Sequence, residues 1–307
     1  MAMITAENVV KRFENHNALD GFSIHIEKGS IYGLVGPNGA GKTTFIKALM
    51  GIYRTDGGEI LFEGEKIYEN CDVKRKIVYI SDDLFFYPTY TVAQTAKMYS
   101  QIYPEWDAEL FKTLGNIFKI DTSKKVIRLS KGMQKQVAFW IGICCRPELL
   151  VLDEPIDGLD PVMRRNTWKI IMSEVAERGM TVLISSHNLR ELEDVCDHVG
   201  IVYGGKTVIE KSLDDVKGNI HKIQLAYMGG EAEYEKSIEK LSSSLEILHT
   251  DRVGSVLCLI IKGDADFVKE QVRSTSPAIF DIIPLTLEEV FIYELGGMGY
   301  EFENILV

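Results

Sequence analysis

Residues 36–43 read GPNGAGKT, which fits the pattern G-x-x-x-x-G-K-[ST]. IYGLV (31–35) precedes it, a short apolar run suited to a buried strand, and TTFIKALM (43–50) follows with helical spacing. A strand, a glycine-rich turn and a helix in that order constrain the chain more than anything else in it. Glycines let the backbone curl so that successive N–H groups face one point. The helix that starts there adds the positive end of its dipole, and Lys42 adds a cation. The stretch therefore predicts a cradle for nucleotide phosphates on an α/β sheet, with the Thr43 hydroxyl available to a divalent cation. Kinases, GTPases and motors all satisfy that description, so a second, acidic site has to choose among them.

PELLVLDEPIDGLDP (147–161) supplies it. LLVL reads as a buried strand ending in Asp153 and Glu154. An Asp at the end of an apolar strand is the metal-side partner of a phosphate loop, and a carboxylate beside it can polarise an attacking water. Further on, TVLIS is another buried-strand run, and His187 lies just past its end, where parallel sheets build their sites. LSKGMQKQ (129–136) precedes the apolar VAFWIGICC, with Ser130 placed as a helix N-cap.

The ordered set GPNGAGKTT, LSKGM, LLVLDEP, DGLD and SSH resembles the ATPase subunit of ATP-binding cassette (ABC) transporters, over about the first 215 residues. The resemblance implies a P-loop ABC cassette that binds ATP and Mg²⁺ through Gly36, Asn38, Gly39, Gly41, Lys42, Thr43 and Thr44. Asp153 would support the metal with Thr43, Glu154 would activate water, and His187 would contact the γ-phosphate. In that family the signature closes over the ATP of a partner cassette, so Ser130 and Gly132 are expected to form half of a composite site. Lys131 and Met133 depart from the usual Gly and Gln. Asp82 falls where the family has a metal-touching Gln, with Asp83 the alternative one register on. Phe13 sits where an aromatic stacks on adenine, the alternative being a core residue on an edge strand. Asp160 matches the dimer-contact loop.

Composition narrows the partners. The net charge of -11 argues against a nucleic-acid surface, because proteins that track phosphates carry a basic face. No apolar run approaches the roughly 18–20 residues needed to span a bilayer, and MAMITAENVVKRF lacks the pattern of a signal peptide. Five scattered cysteines read as buried, reduced thiols of a cytosolic protein.

These readings divide the chain into a cassette at 1–217, with a helical subdomain at about 88–145, and a small domain at 220–307. The aromatic residues of the helical part (Tyr87, Tyr90, Tyr99, Tyr103, Trp106, Phe111 and Phe118) are expected to be mostly core. The second part reads β-α-β-β-α-β, an α+β ferredoxin-like unit. It ends in TLEEVFIYELGG, expected to be helical and similar to the tails of ATPases that serve separately encoded export permeases. The expected function is thus the ATPase of an exporter, peripheral at the inner face of the cell membrane. Its partners would be a permease on another chain and a second cassette, identical or different. The alternatives are a soluble ABC ATPase acting on ribosomes or nucleic acid, and a small-molecule kinase.

Overall fold

The computed structural model describes residues 2–155, 159–218, 220–228, 231–283 and 285–289. The chain divides into two compact units, Met1–Asn188 with Val195–Glu210, and Leu189–Asp194 with Lys211–Val307.

The first unit opens with β1 (Ala2–Phe13) and β2 (His16–Glu27), an antiparallel pair, followed by β3 (Ile31–Val35) and α1 (Lys42–Leu49). Next come β4 (Gly57–Phe62), β5 (Glu65–Lys66), α2 (Cys71–Lys74) and β6 (Ile77–Ile80). Three helices intervene, α3 (Val92–Ile102), α4 (Ala108–Phe118) and α5 (Lys131–Cys144). The chain then returns through β7 (Leu149–Asp153), α6 (Pro161–Arg178) and β8 (Thr181–Ser186). The short α7 (Leu189–Glu193) groups with the second unit, and β9 (His198–Tyr203) and β10 (Lys206–Ser212) follow it.

Two sheets result among the described residues. One is antiparallel, in the order β2-β1-β4-β5; the other runs β10-β9-β3-β8-β7-β6, with β9 through β6 parallel. β3, β7 and β8 are buried at every position. That is why they read as continuous apolar runs: a parallel sheet is covered on both faces. The main core lies where Met3, Ile24 and Phe62 of the antiparallel sheet meet Phe45 and Leu49 of α1 and Leu34, Val151 and Leu183 of the parallel sheet. Parallel pairing aligns the ends of three strands, with Val35 opposite Ser186 and Asp153 opposite Ser185. The phosphate loop, the acidic pair and His187 thus leave one edge of the sheet together.

Helices α4 and α5 stack through Trp140 of α5, whose indole lies parallel to Phe111 at 4.4 Å and donates Nε1–H to the Phe111 carbonyl at 2.9 Å. The expectation that the aromatics here are mostly core is corrected. Phe118 is buried, Tyr87 is exposed, and Tyr90, Tyr99, Tyr103, Trp106 and Phe111 are half-buried. Three helices form a single layer here, so most of these rings keep one side open. The thiols need a similar correction: Cys144, Cys145 and Cys196 are buried, but Cys71 is exposed and Cys258 intermediate. Burial raises the pKa of the three buried thiols, which keeps them protonated and inert.

In the second unit α8 (Leu213–Gly218) leads into β11 (Ile220–Ala226), α9 (Glu231–Ser242), β12 (Glu246–Val253), β13 (Val256–Lys262), α10 (Ala265–Arg273) and β14 (Ile279–Ile283). The sheet is antiparallel throughout, in the order β12-β13-β11-β14, which is the ferredoxin-like arrangement. Its core is Ile223, Leu225, Leu257, Leu259 and Ile261 under Tyr234, Leu241, Val268 and Val272. Asp264 caps α10 by accepting from the Asp266 and Phe267 N–H groups. The tail TLEEVFIYELGG lies outside the described residues beyond Glu289. Among the described residues no helix is long and apolar enough to cross a membrane.

Candidate functional site

The loop after β3 is shaped by two glycines with positive φ, Gly39 at 81° and Gly41 at 111°. A Cβ on Gly41 would lie 2.6 Å from the Ala18 carbonyl oxygen, and one on Gly36 2.2 Å from that of Val202. Other residues would therefore strain the loop or displace its neighbours. Gly41 caps α1 without a side-chain acceptor, and the first turn holds no acidic residue. The first N–H groups of the helix are thus left for an anion. Lys42 is 6% exposed, and its Nζ donates to the Gly36 carbonyl at 2.6 Å and to that of Pro37 at 3.2 Å. Burial lowers the Lys42 pKa, partly offset by the nearby carboxylates of Glu154 and Asp153.

A cavity of about 520 Å³ opens beside the loop. Asn38, Gly39, Gly41, Lys42, Thr43 and Thr44 form one wall, and Asp82, Asp83, Asp153 and Glu154 another. Asp153 is 3% exposed and receives three hydroxyls. Thr43 Oγ1 donates to its Oδ1 at 3.2 Å, Tyr79 donates to its Oδ2 at 3.3 Å, and Ser185 Oγ donates to Oδ1. Burial and then the Asp153 charge push the Tyr79 phenol upward in pKa, so it remains a donor.

Glu154 is a non-glycine residue with φ of 45°. Backbone in that region costs about 1–3 kcal/mol and persists where the surroundings hold it. Here the Glu154 N–H is held by the Ser185 carbonyl at 3.2 Å and the Ser185 hydroxyl at 3.3 Å. The Glu154 carbonyl accepts from Lys135 Nζ at 2.7 Å. Its carboxylate points between two candidates from the sequence: Oε2 lies 3.0 Å from His187 Nδ1 and Oε1 lies 3.8 Å from Lys42 Nζ.

The remaining candidates have other surroundings. Ser130 is the exposed N-cap of α5, its Oγ accepting from the Met133 N–H at 3.3 Å, and neither it nor Gly132 lines the cavity. Asp160 caps α6, accepting from the Val162 and Met163 N–H groups at 3.0 Å. Phe13 is 41% exposed, edge-on to Tyr53 with ring centroids 5.3 Å apart, so the alternative of a core residue is not what the fold contains. Asp82 is largely exposed and pairs with Lys135 at 3.4 Å.

Known proteins are similar to this chain in sequence and fold. A family model described as ABC transporter matches residues 19–157. The ABC transporter ATP-binding protein YtrB of Bacillus subtilis (strain 168) is 33% identical over 295 residues, which cover 96% of this chain and 99% of YtrB. The chain belongs to the ABC transporter ATP-binding proteins. The lantibiotic transport ATP-binding protein SrtF of Streptococcus pyogenes is 33% identical over 69% of this chain and 92% of its own length. A solved ATP-binding cassette of an ABC transporter, MJ1267 in its ADP conformation, matches with a TM-score of 0.60 and 26% identity. That match covers 70% of this chain and 92% of MJ1267. An ABC ATP-binding protein is an ATPase, and the cassette described above is an ATP-hydrolysing fold.

Three residues of this ABC site escaped the sequence reading. Tyr79 and Ser185 hold Asp153 from β6 and β8, and Lys135 reaches Glu154 from α5. A signal existed for Lys135, since it stands among Gln136, Val137, Phe139 and Trp140, all buried. Nothing in the local pattern distinguishes Tyr79 or Ser185 from ordinary strand residues.

Proposed function

We propose that this ABC protein is the ATPase subunit of an exporter, works with a separately encoded membrane permease, and closes as a dimer around two ATP molecules. It would sit in the cytoplasm, peripheral at the inner face of the cell membrane through that permease, with no role for nucleic acid. The observation that carries the reading is the division of the site. Lys42, Asp153 and Glu154 line one cavity and His187 touches Glu154, while Ser130 and Gly132, at the capped N-terminus of α5, do not line it. A signature outside its own cavity suits a site completed by a partner. The likeness to a lantibiotic transport protein favours export.

The roles follow from the geometry. ATP phosphates would take the α1 N–H groups and the Lys42 ammonium, relieving the cost of burying that cation. The oxygen donors of Asp153 and Thr43, at 3.2 Å from each other, fit Mg²⁺, with Asp82 a further carboxylate on the same cavity. Bound there, Mg²⁺ would neutralise phosphate charge. Glu154 would accept a proton from the attacking water, held in place by His187, whose other ring nitrogen is available to the γ-phosphate. Phe13 would offer its exposed face to adenine. Ser130 and Gly132 of a second cassette would cover the γ-phosphate, with Asp160 near the seam.

The test is ATP-dependent dimerisation of Glu154→Gln by light scattering, with turnover measured in parallel. The expected result is a dimer with MgATP, a monomer without it, and hydrolysis at least about 100-fold slower, in line with loss of a general base. A variant that stays monomeric at saturating MgATP removes the self-pairing, and one that turns over at the parental rate removes Glu154 as base.

A further inference from the structure

Lys135 is a buried cation on α5, 5% exposed, whose contact with Glu154 has so far been given no role. Its ammonium donates to the Glu154 carbonyl at 2.7 Å and lies 3.4 Å from Asp82 Oδ1. Those two partners follow neighbouring strands: Glu154 comes directly after β7, and Asp82 comes after β6. The side chain thus joins a helix of the α3–α5 layer to both strand ends that border the cavity.

Two physical consequences follow. Glu154 has a left-handed backbone, and its two neighbouring peptide groups are held from opposite sides, the N–H by Ser185 and the carbonyl by Lys135. Removing the second hold frees the peptide that sets the direction of the Glu154 carboxylate. In addition, Asp82, Asp83, Asp153 and Glu154 place four carboxylates on one cavity that has to admit a polyanion. Lys135 offsets one of them, the exposed Asp82, by direct pairing. A buried charge stripped of its partner is strongly unfavourable, so the pair should behave as a unit.

We propose that Lys135 is a positioning residue for ATP hydrolysis, coupled to Asp82, that holds the Glu154 peptide in its active conformation and offsets the charge Asp82 brings to the site. This rests on the reading of Glu154 as the base. It predicts a defect in turnover rather than in nucleotide capture, because the contacts above tie Lys135 to Glu154 and Asp82.

The test is steady-state hydrolysis by the full chain, reading kcat and KM for K135Q, K135R, D82Q and D82Q/K135Q. K135Q is expected to lose at least about tenfold in kcat with KM within about threefold, as for a residue acting on the transition state. K135R, which retains the cation, is expected to stay within about threefold of the parent, and D82Q/K135Q to recover at least about fivefold over K135Q, the signature of a coupled pair. A smaller loss in K135Q, or a double variant no better than K135Q, overturns the proposal. Should K135Q fail to fold by circular dichroism, D82Q alone carries the test, since Asp82 is a surface residue. It is expected to lower kcat about three- to tenfold through the same coupling, with the half-saturating Mg²⁺ concentration within about threefold of the parent; a parental kcat, or a loss that excess Mg²⁺ cures, overturns the proposal. E154Q measured alongside separates the two readings: if it turns over normally, Glu154 is not the base, whereas the Lys135–Asp82 coupling is read from the other variants.

Discussion

Lys42 shows how a residue can be costly to the fold and necessary to the site. Its ammonium is buried against two carbonyls and 3.8 Å from Glu154, and burial lowers its pKa below the ordinary 10.5. A lowered lysine pKa means that the unfolded chain binds the proton more tightly than the folded one. Stability therefore rises with pH between the lowered value and 10.5, and below that window the full cost is present. Without nucleotide, Lys42→Ala is expected to flatten that rise, which chemical denaturation at a series of alkaline pH values will read. With nucleotide the balance reverses. Charge-assisted bonds contribute about 1.5–3 kcal/mol each, so loss of two should weaken ATP binding about 100-fold or more, measurable by calorimetry. At this scale the sequence was most informative where a residue type has few uses. Gly41, Lys42, Asp153 and Glu154 line one cavity in the structure, and His187 touches Glu154. Ser185 and Tyr79 did not show, because a hydroxyl at the end of a strand is common and its value lies in the carboxylate opposite, 32 or 74 residues away.

Elements carry the next layer, and α5 is the one with two tasks. Its N-terminus, capped by Ser130, presents the signature; its length packs the helical layer onto the parallel sheet, with Gly142 against Val78 and Ile80. Trp140 is the joint. It stacks on Phe111 at 4.4 Å and on Phe118 at 6.0 Å, bonds the Phe111 carbonyl, and leaves little room at Gly115, where a Cβ would lie 3.0 Å from its ring. Trp140→Ala is expected to cost about 3–5 kcal/mol in a urea titration, the range for a large buried aromatic. Ser130→Ala, which removes a cap and nothing from the core, is expected to cost about 1 kcal/mol. A Trp140 variant within 1 kcal/mol of the parent would mean that the helical layer holds without this stack. Periodicity announced α5, β7 and β8 well, since a run buried on all sides has no polar face to confuse the pattern. It overstated the burial of Tyr87, Tyr99 and Trp106. A helical pattern marks which side of an element is covered but carries no count of the layers beyond it.

At the scale of the whole molecule the open question is whether one chain holds a complete site. The cavity side and the signature side belong to the same unit yet do not meet in it, since neither Ser130 nor Gly132 reaches the cavity. If two identical chains complete each other with twofold symmetry, every site combines the loop of one chain with the signature of the other. Lys42→Ala then breaks the loop half and Ser130→Ala the signature half, and each homodimer has two damaged sites. A mixed dimer differs: one site pairs the intact loop of the Ser130 variant with the intact signature of the Lys42 variant, and the other site collects both lesions. Random mixing makes half of the dimers mixed, each with one sound site of two, so an equimolar mixture should recover about a quarter of the parental rate. Each variant alone should stay near background. A mixture that turns over no faster than the average of the separate variants would show that the signature serves its own chain or a different cassette, and the recovery should grow with total protein concentration if association is what restores it.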